Sequence, residues 1–194
     1  MKSTRIEGAL RVVDRAQFVP DDLQSEAYGD YPLPIGAGQT ISQPYTVVFM
    51  LELLAPQKGE KVLDVGSGSG WTTALLAHCV GERGSVLGLE RVPELVRYGQ
   101  ENLAKFGFLQ ARIEQAGKGC GKPAEAVPTG RQAPFDKILI SAAAEEIPRE
   151  LLEQLKIGGR MVIPVKNALC TVDRTETSFE QKKYEGFVFV PLIQ

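Results

Sequence analysis

Short apolar runs alternate with segments of helical periodicity from residue 56 onward, and this alternation constrains the fold more than any other feature. Strands separated by helices are typical of a parallel sheet covered by helices on both faces. The predicted strands are 61–65, 85–89, 111–115, 137–141, 160–165, 169–172 and 187–190. The predicted helices between them are 71–80, 92–106 and 148–155. The sequence therefore predicts an α/β fold.

The first 55 residues differ in texture from the rest of the chain. They hold a short amphipathic helix, a stretch rich in proline and glycine, and a second helix that begins near Ser42. A chain of 194 residues suits one domain. We therefore predict a single domain over residues 1–194, with an N-terminal extension at 1–55 and a core at 56–194.

Composition and charge argue against several broad classes of function. A formal net charge of -2 and an isoelectric point of about 5.6 give no general attraction to nucleic acid or to an anionic membrane. The three cysteines, Cys79, Cys120 and Cys170, form no CxxC pair that would suit a zinc or redox site. The sequence shows neither a signal peptide nor an apolar run of transmembrane length. We expect a cytoplasmic monomer without a metal, nucleic acid or membrane partner.

A glycine-rich loop between the first predicted core strand and its helix is the sharpest local motif. The loop reads Gly66-Ser67-Gly68-Ser69-Gly70, and an acid, Glu90, ends the second strand 20 residues after Gly70. Glycines let a ligand approach the backbone closely, and an acid at such a strand end can accept hydrogen bonds from ribose hydroxyls. The pattern indicates an adenosine-containing ligand without choosing between NAD, FAD and S-adenosylmethionine. The alternatives are a tight turn for the loop and a surface charge paired with Arg91 for Glu90.

The length of the core narrows this choice of ligand. Only 139 residues (194 − 55) follow the N-terminal extension, which is short for two mononucleotide-binding halves and a substrate domain. No lysine of the phosphate-binding-loop type follows the glycines, so a nucleoside triphosphate site is not expected. A dinucleotide is therefore a less suitable ligand than S-adenosylmethionine.

Four blocks of sequence resemble one known family. The blocks are residues 13–20, residues 27–45, the glycine loop with residues 90–95, and scattered positions in 135–165. The second block, which contains PLPIGAGQTISQPY, is the most specific of them. By these blocks the chain resembles the protein-L-isoaspartate (D-aspartate) O-methyltransferases over nearly its whole length.

The resemblance implies a fold and a set of site residues. The fold would be a Rossmann-like class I S-adenosylmethionine-dependent methyltransferase sheet, with seven strands, the last antiparallel, helices on both faces and residues 1–55 on the substrate side. Ser42 would lie beside the transferred methyl group, with Thr40 and Ile41 nearby. Ile35 and Gly36 would line the peptide-binding side. The residues implied for cofactor binding are Gly66, Ser67, Gly68, Ser69, Gly70, Glu90 and Arg91.

The same resemblance implies methyl transfer from S-adenosylmethionine to the α-carboxylate of L-isoaspartyl residues in damaged proteins and peptides. A carboxylate is ionised at neutral pH and needs no general base. This suits a chain whose one histidine, His78, reads as a surface or packing residue. The alternatives are a methyltransferase for another substrate and a weakened S-adenosylmethionine-binding protein. An NAD-dependent oxidoreductase is a more distant alternative.

Two segments leave alternatives open. The stretch at 115–119 lacks the acid with which the family contacts adenine, and it opens a long loop at 116–134 that is either functional or a tolerated insertion. Ser42 precedes Gln43-Pro44 and therefore also reads as a helix N-cap, a role compatible with a place in the active site. Trp71 is expected to pack beside the glycine loop.

Overall fold

A seven-stranded sheet forms the centre of this computed structural model, which describes residues 4–117 and 134–192. A separate two-stranded hairpin precedes it. The strands are β1 (Leu33–Gly36), β2 (Gln39–Ile41), β3 (Lys61–Val65), β4 (Ser85–Glu90), β5 (Ala111–Gln115), β6 (Phe135–Ile140), β7 (Leu155–Val165), β8 (Ala168–Arg174) and β9 (Phe179–Glu185). The sheet order is β5-β4-β3-β6-β7-β8-β9.

The order of the strands confirms the predicted α/β sheet. Strands β5, β4, β3, β6 and β7 are parallel, whereas β8 pairs antiparallel with both β7 and β9. The last strand is therefore antiparallel to its neighbour, as predicted. The chain moves from β3 outward to β4 and β5, and then returns to the other side of β3 with β6. A reversal of this kind opens a crevice at the carboxyl ends of the strands.

The prediction of a final strand at 187–190 is wrong. The last strand is β9, whose sequence FEQKKYE is exposed at almost every position and has no apolar alternation to reveal it. The apolar run after it leaves the sheet because Phe187 stacks on Phe49 of α2 (Pro44–Leu54) and Phe189 packs against the core. The run then continues to residue 190, whose carbonyl oxygen accepts a hydrogen bond from the Ala143 N–H at 2.8 Å.

Helices cover the sheet on both faces. Besides α2, they are α1 (Thr4–Val12), α3 (Trp71–Val80), α4 (Pro93–Ala104) and α5 (Arg149–Gln154), with 3-10 turns at Arg15–Phe18 and Asp21–Glu26. Helix α3 is buried at nine of its ten residues because it lies between the sheet, α1 and α4. On the opposite face, Leu151 of α5 packs with Leu63 and Ile138 from the sheet. None of the described helices is long and apolar enough to cross a membrane.

The predicted N-terminal extension meets the core at the glycine loop. Helix α1 packs against α3. The β1–β2 hairpin brings the Ile35 side chain next to Gly68, where a Cβ added to Gly68 would lie 3.2 Å from Ile35 Cδ1. The hairpin and the glycine loop therefore face each other across one crevice.

Candidate active site

One cleft lies at the carboxyl ends of β3, β4 and β6, with about 970 Å³ of empty space including its open mouth. Residues from three parts of the chain line it. We call them the hairpin wall (Ile35 and residues 39–42), the loop wall (residues 66–69 with Glu90 and Arg91) and the C-terminal wall (Ser141, Ala142 and residues 190–192). Of the twelve predicted site residues, ten line the cleft, whereas Gly36 and Gly70 do not.

The glycine loop is shaped by residues with positive φ. Gly66 and Gly68 have φ of 78° and 51°, values that residues with a side chain rarely adopt. The N–H groups of Gly66 and Ser67 both donate to Leu89 O, at 2.8 and 3.1 Å, which ties the loop to the end of β4.

The last glycine of the loop has a packing role. A Cβ on Gly70 would lie 2.9 Å from Gly99 O and 3.1 Å from Ile113 Cδ1. Gly70 therefore permits close packing of α3 against α4 rather than contact with a ligand in the cleft.

Glu90 links the glycine loop to the turn after β4. Its Oε2 accepts the Gly68 N–H at 2.9 Å, and its Oε1 accepts the N–H groups of Arg91 and Val92 at 2.6 and 2.9 Å. A carboxylate offers about four acceptor positions. Since three of them are used, Glu90 keeps one, on Oε2, for a hydroxyl in the cleft.

A buried carboxylate, which sequence reasoning missed, lies beneath the loop. Asp64 in β3 is fully buried, and its Oδ2 accepts the hydroxyls of Thr72 and Thr73 at 2.7 and 2.6 Å. Burial raises the pKa of Asp64 to about 6, although the two hydrogen bonds from the threonines oppose the rise. The signal for Asp64 was an acid inside an otherwise apolar strand.

Three buried polar atoms around the loop have no hydrogen-bond partner among the described residues. They are Asp64 Oδ1, Ser67 Oγ and Ser141 Oγ. Buried polar groups are normally satisfied. Ser67 and Ser141 line the cleft, whereas Asp64 lies beneath it, so the two serine hydroxyls suit a ligand that carries its own donors and acceptors. S-adenosylmethionine, with an ammonium and a carboxylate at its amino-acid end, is such a ligand.

The N-cap hypothesis for Ser42 is wrong. Helix α2 begins at Pro44 with Gln43 in the N-cap position, because a residue before proline is disfavoured in helical conformation. Asp30 from the preceding loop supplies the acceptor instead, since its Oδ1 receives the Tyr45 N–H at 2.9 Å. Ser42 is half-buried on the hairpin wall and free of a capping role.

Trp71 and His78 behave as the sequence predicted. Trp71 is 2% exposed, and its Nε1 donates to Val13 O at 3.4 Å, so it packs beside the glycine loop. His78 lies on α3 with its ring against Gly8 of α1 and does not line the cleft.

Neither of the two cysteines that the structure describes shows a sign of reactivity. Cys79 and Cys170 are buried free thiols, and burial raises the pKa of Cys79 to about 11. Cys120 lies outside the described residues. Within residues 4–117 and 134–192, no group of acidic, histidine or cysteine side chains is placed to hold a metal ion.

Two hydrogen bonds, which we call the brace, join the end of β5 to Arg91 on the side of the cleft where residues 115–117 carry no acid. Gln115 Nε2 donates to Arg91 O at 2.5 Å, and Arg91 Nη1 donates to Gly117 O at 3.0 Å. Ala116 and Gly117 line the cleft beside Arg91. The remainder of the predicted long loop, at 118–133, lies outside the described residues.

Sequence reasoning assigned no role to two further parts of the site. Arg15 lies behind the hairpin wall, where its guanidinium stacks over the Trp71 ring at 5.5 Å. Residues 190–192 supply the C-terminal wall. Arg15 falls in the first block of the family resemblance, which was the available signal, whereas residues 190–192 lie outside the four blocks. Neither part has a local motif that indicates its contacts.

Comparison with known proteins places the chain in a family. The family model described as protein-L-isoaspartate (D-aspartate) O-methyltransferase matches residues 1–194. The chain is 45% identical over 199 residues to the protein-L-isoaspartate O-methyltransferase of Methanopyrus kandleri, covering 100% of this chain and 85% of the relative. The corresponding enzyme of Ignicoccus hospitalis is 41% identical over 199 residues, with coverage of 100% and 91%.

A solved structure agrees with these relatives. A Plasmodium falciparum protein described as a protein-L-isoaspartate O-methyltransferase, in complex with S-adenosyl-L-homocysteine, matches with a TM-score of 0.84 and 25% identity. The match covers 100% of this chain and 92% of that one. The sequence, the fold and the cleft thus agree, and the chain belongs to the protein-L-isoaspartate (D-aspartate) O-methyltransferase family.

Proposed function

We propose that this chain transfers a methyl group from S-adenosylmethionine to the α-carboxylate of L-isoaspartyl residues in proteins and peptides, and so starts their repair. Membership of the family supports the reaction. The observation that carries the assignment to this cleft is the meeting of its hairpin wall, which holds Ser42, with its loop wall, which holds Glu90.

The loop wall is the proposed cofactor site. Gly66 and Gly68 allow the ligand to approach the backbone, and the free acceptor position on Glu90 Oε2 takes one ribose hydroxyl. The unpartnered Ser67 and Ser141 hydroxyls suit the polar amino-acid end of the ligand. The cofactor supplies a methyl group already activated by a sulfonium, so the protein has only to orient its acceptor.

Ser42 is the proposed orienting group on the hairpin wall. The acceptor carboxylate is ionised at neutral pH and acts as the nucleophile without a base. The Ser42 hydroxyl donates a hydrogen bond to one carboxylate oxygen and leaves the other aligned with the methyl group. Alignment of this kind can contribute about 7–11 kcal/mol to catalysis. The resulting methyl ester closes to a succinimide without further help from the protein, and hydrolysis of that ring returns some normal aspartate.

We also propose that the protein acts in the cytoplasm. Cys79 and Cys170 are buried free thiols, which is usual for proteins of reducing compartments.

A weakened cofactor-binding protein is the second candidate. The observation that favours it is the absence of an acid at residues 115–117, beside Arg91, where the brace occupies the end of β5. On this alternative the cofactor would bind without turnover.

One experiment separates the two candidates. Methyl transfer from labelled S-adenosylmethionine is measured on an isoaspartyl peptide and on its normal aspartyl twin. We expect methylation of the isoaspartyl peptide alone. Calorimetric titration with S-adenosylhomocysteine on the same preparation distinguishes a weakened binder from an unfolded sample. Equal labelling of both peptides, or binding without labelling, contradicts the proposed function.

A further inference from the structure

Arg15 is a buried cation directly behind the hairpin wall. It lies in the 3-10 turn after α1 and is 4% exposed. Its guanidinium donates to five backbone carbonyl oxygens. They are Ala27 O at 2.7 Å, Gly29 O at 3.3 Å, Tyr31 O at 3.0 Å, Ile41 O at 3.5 Å and Ser42 O at 3.2 Å. A single side chain thus joins the loop at 27–31 to the segment that carries Ser42.

The charge of Arg15 is not neutralised by an ion pair. No carboxylate of the described residues forms a salt bridge with it, and its Nε has no hydrogen-bond partner there. Burial lowers the pKa of Arg15, and the nearby charge of Asp30 opposes this effect. An arginine side chain stays protonated in proteins, so a full positive charge persists behind the wall. Carbonyl dipoles solvate this charge but leave it uncancelled.

The position of Arg15 connects this charge to the cleft. Its Nη2 is 3.2 Å from Ser42 O, and its guanidinium lies 5.5 Å from the centre of the Trp71 ring. Both Ser42 and Trp71 line the cleft. Electrostatic attraction is stronger in such a partly desolvated place than in water. A carboxylate that enters beside Ser42 therefore meets a fixed positive charge behind the wall.

We propose that Arg15 is a positioning residue for the acceptor: it fixes the backbone of Ile41 and Ser42, and its charge favours a carboxylate over a neutral group at Ser42. The inference rests on the proposed function, since it concerns the acceptor side of the same cleft. Arg15 touches neither the glycine loop nor Glu90 through any hydrogen bond. Its loss is therefore expected to lower the affinity for the acceptor peptide and the rate of transfer, and to leave cofactor affinity nearly unchanged.

The test compares two peptides that differ only in charge. One is the isoaspartyl peptide, and the other carries a carboxamide in place of the isoaspartyl α-carboxylate. Dissociation constants are measured for both in the presence of S-adenosylhomocysteine. The wild type is expected to prefer the carboxylate by about tenfold or more, the size of one charge-assisted interaction. Equal affinities in the wild type overturn the proposal without any variant.

Two substitutions separate charge from geometry. Arg15→Gln removes the charge and is expected to lower the preference severalfold, to the part that the Ser42 hydroxyl supplies. Arg15→Lys keeps the charge and the preference, but it cannot reach Ile41 O and Ser42 O with the same fork of donors, so kcat should fall about tenfold. If Arg15→Gln gives no cooperative melting transition, the proposal is still tested by kcat of Arg15→Lys and by the affinities of the wild type for the two peptides. Wild-type kcat in Arg15→Lys, or a wild-type preference in a folded Arg15→Gln, overturns the proposal.

The matched control is Arg160→Gln. Arg160 is a partly buried arginine that donates to Asp173 and to Leu53 O, and it does not line the cleft. Its loss should lower the melting temperature without changing the peptide preference or kcat. Cofactor titration accompanies every variant, because a merely structural defect would also move that value. A wild type that leaves the isoaspartyl peptide unmethylated contradicts the proposed function itself, and the inference falls with it.

Discussion

At the residue scale, Ser42 is available to a substrate because other residues start the helix that follows it. Pro44 moves the first helical position beyond Gln43, and Asp30 accepts the Tyr45 N–H that a capping serine would otherwise serve. A residue in the N-cap position is expected to contribute to stability. Ser42 is not the N-cap residue, so a substitution there can test its effect on turnover without a large effect on stability.

Ser42→Ala should therefore keep nearly the wild-type melting temperature and lose most of its methyl-transfer rate. Loss of one hydrogen bond to a charged acceptor corresponds to a decrease of about tenfold or more. Single-turnover methylation, a melting curve and a cofactor titration on one preparation check this. Asp30→Ala is the control, since it removes the observed cap and should cost about 1 kcal/mol of stability. Unchanged turnover in Ser42→Ala would remove Ser42 from the active site.

Asp64 makes stability depend on pH in an uncommon direction. Its pKa rises from 3.8 to about 6 on folding because the carboxyl is buried. The folded state therefore binds more protons than the unfolded state between about pH 4 and pH 6, and the free energy of unfolding falls as the pH rises through that window. The contribution of Asp64 is largest below pH 4, and up to about 3 kcal/mol of it is gone above pH 6.

Asp64→Asn should abolish this dependence, because its amide does not titrate and its oxygen can still accept from Thr72 and Thr73. Denaturant unfolding of wild type and variant at several values from pH 4 to pH 7 measures it, and the difference between the two curves isolates Asp64 from other carboxyls. Asp22→Asn, at an exposed acid, serves as control. A constant difference across the window would show that Asp64 is ionised in the folded protein throughout.

At the element scale, the regular strands of the core were predictable because each is a short apolar run with a recognisable end. Strand β3 is an apolar run that ends in glycines, and β4 is an apolar run that ends at Glu90. Strand β9 lacks this pattern, since it is an edge strand that is exposed at six of its seven residues. The apolar run after it, residues 187–190, looked like a strand because packing on α2 and edge pairing require the same kind of side chains.

The glycines at the two ends of α3, Gly70 before the helix and Gly81 after it, are needed for different reasons. Gly70 and Gly81 both have positive φ, at 87° and 65°, but only Gly70 faces a neighbour, Gly99 O, at 2.9 Å from an added Cβ. Both Gly→Ala substitutions are strained by backbone conformation, and Gly70→Ala also forces α3 from α4.

Gly70→Ala should therefore destabilise the fold more than Gly81→Ala does, by about 1–3 kcal/mol, the usual cost of overpacking. Denaturant unfolding of the two variants measures the difference. Equal losses of stability would mean that strain in φ, rather than the contact with α4, sets the requirement for glycine at residue 70.

At the scale of the whole molecule, the site is assembled from segments that are distant in the sequence. The hairpin wall, the loop wall and the C-terminal wall meet only in the folded chain. The loop wall was predictable because its motif is contiguous and ends at an acid. The contacts of Arg15 with carbonyls at 27–42, and the return of residues 190–192 to Ala143, depend on tertiary packing that no local pattern encodes.

A ligand that binds where these walls meet should stabilise the entire fold. At a concentration of 100 times its dissociation constant, S-adenosylhomocysteine should raise the free energy of unfolding by about 2.7 kcal/mol, since it binds the folded state alone. NAD at the same concentration should have little effect. Glu90→Ala removes the proposed ribose acceptor, and with it the Oε2 that accepts the Gly68 N–H. It should therefore need at least about tenfold more ligand for the same stabilisation.

The control for this prediction is Glu94→Ala, which removes an exposed acid four residues away in the first turn of α4. Thermal melting across a ligand series for the wild type and both variants gives the three dissociation constants. The wild type and Glu94→Ala should have the same dissociation constant, because Glu90 lines the cleft and Glu94 does not. If Glu90→Ala has the same dissociation constant as both, Glu90 only holds the loop and the turn after β4, and the ribose must be bound elsewhere. If NAD stabilises the wild type as strongly as S-adenosylhomocysteine does, the cleft recognises adenosine alone and the sulfur end of the cofactor adds nothing to affinity.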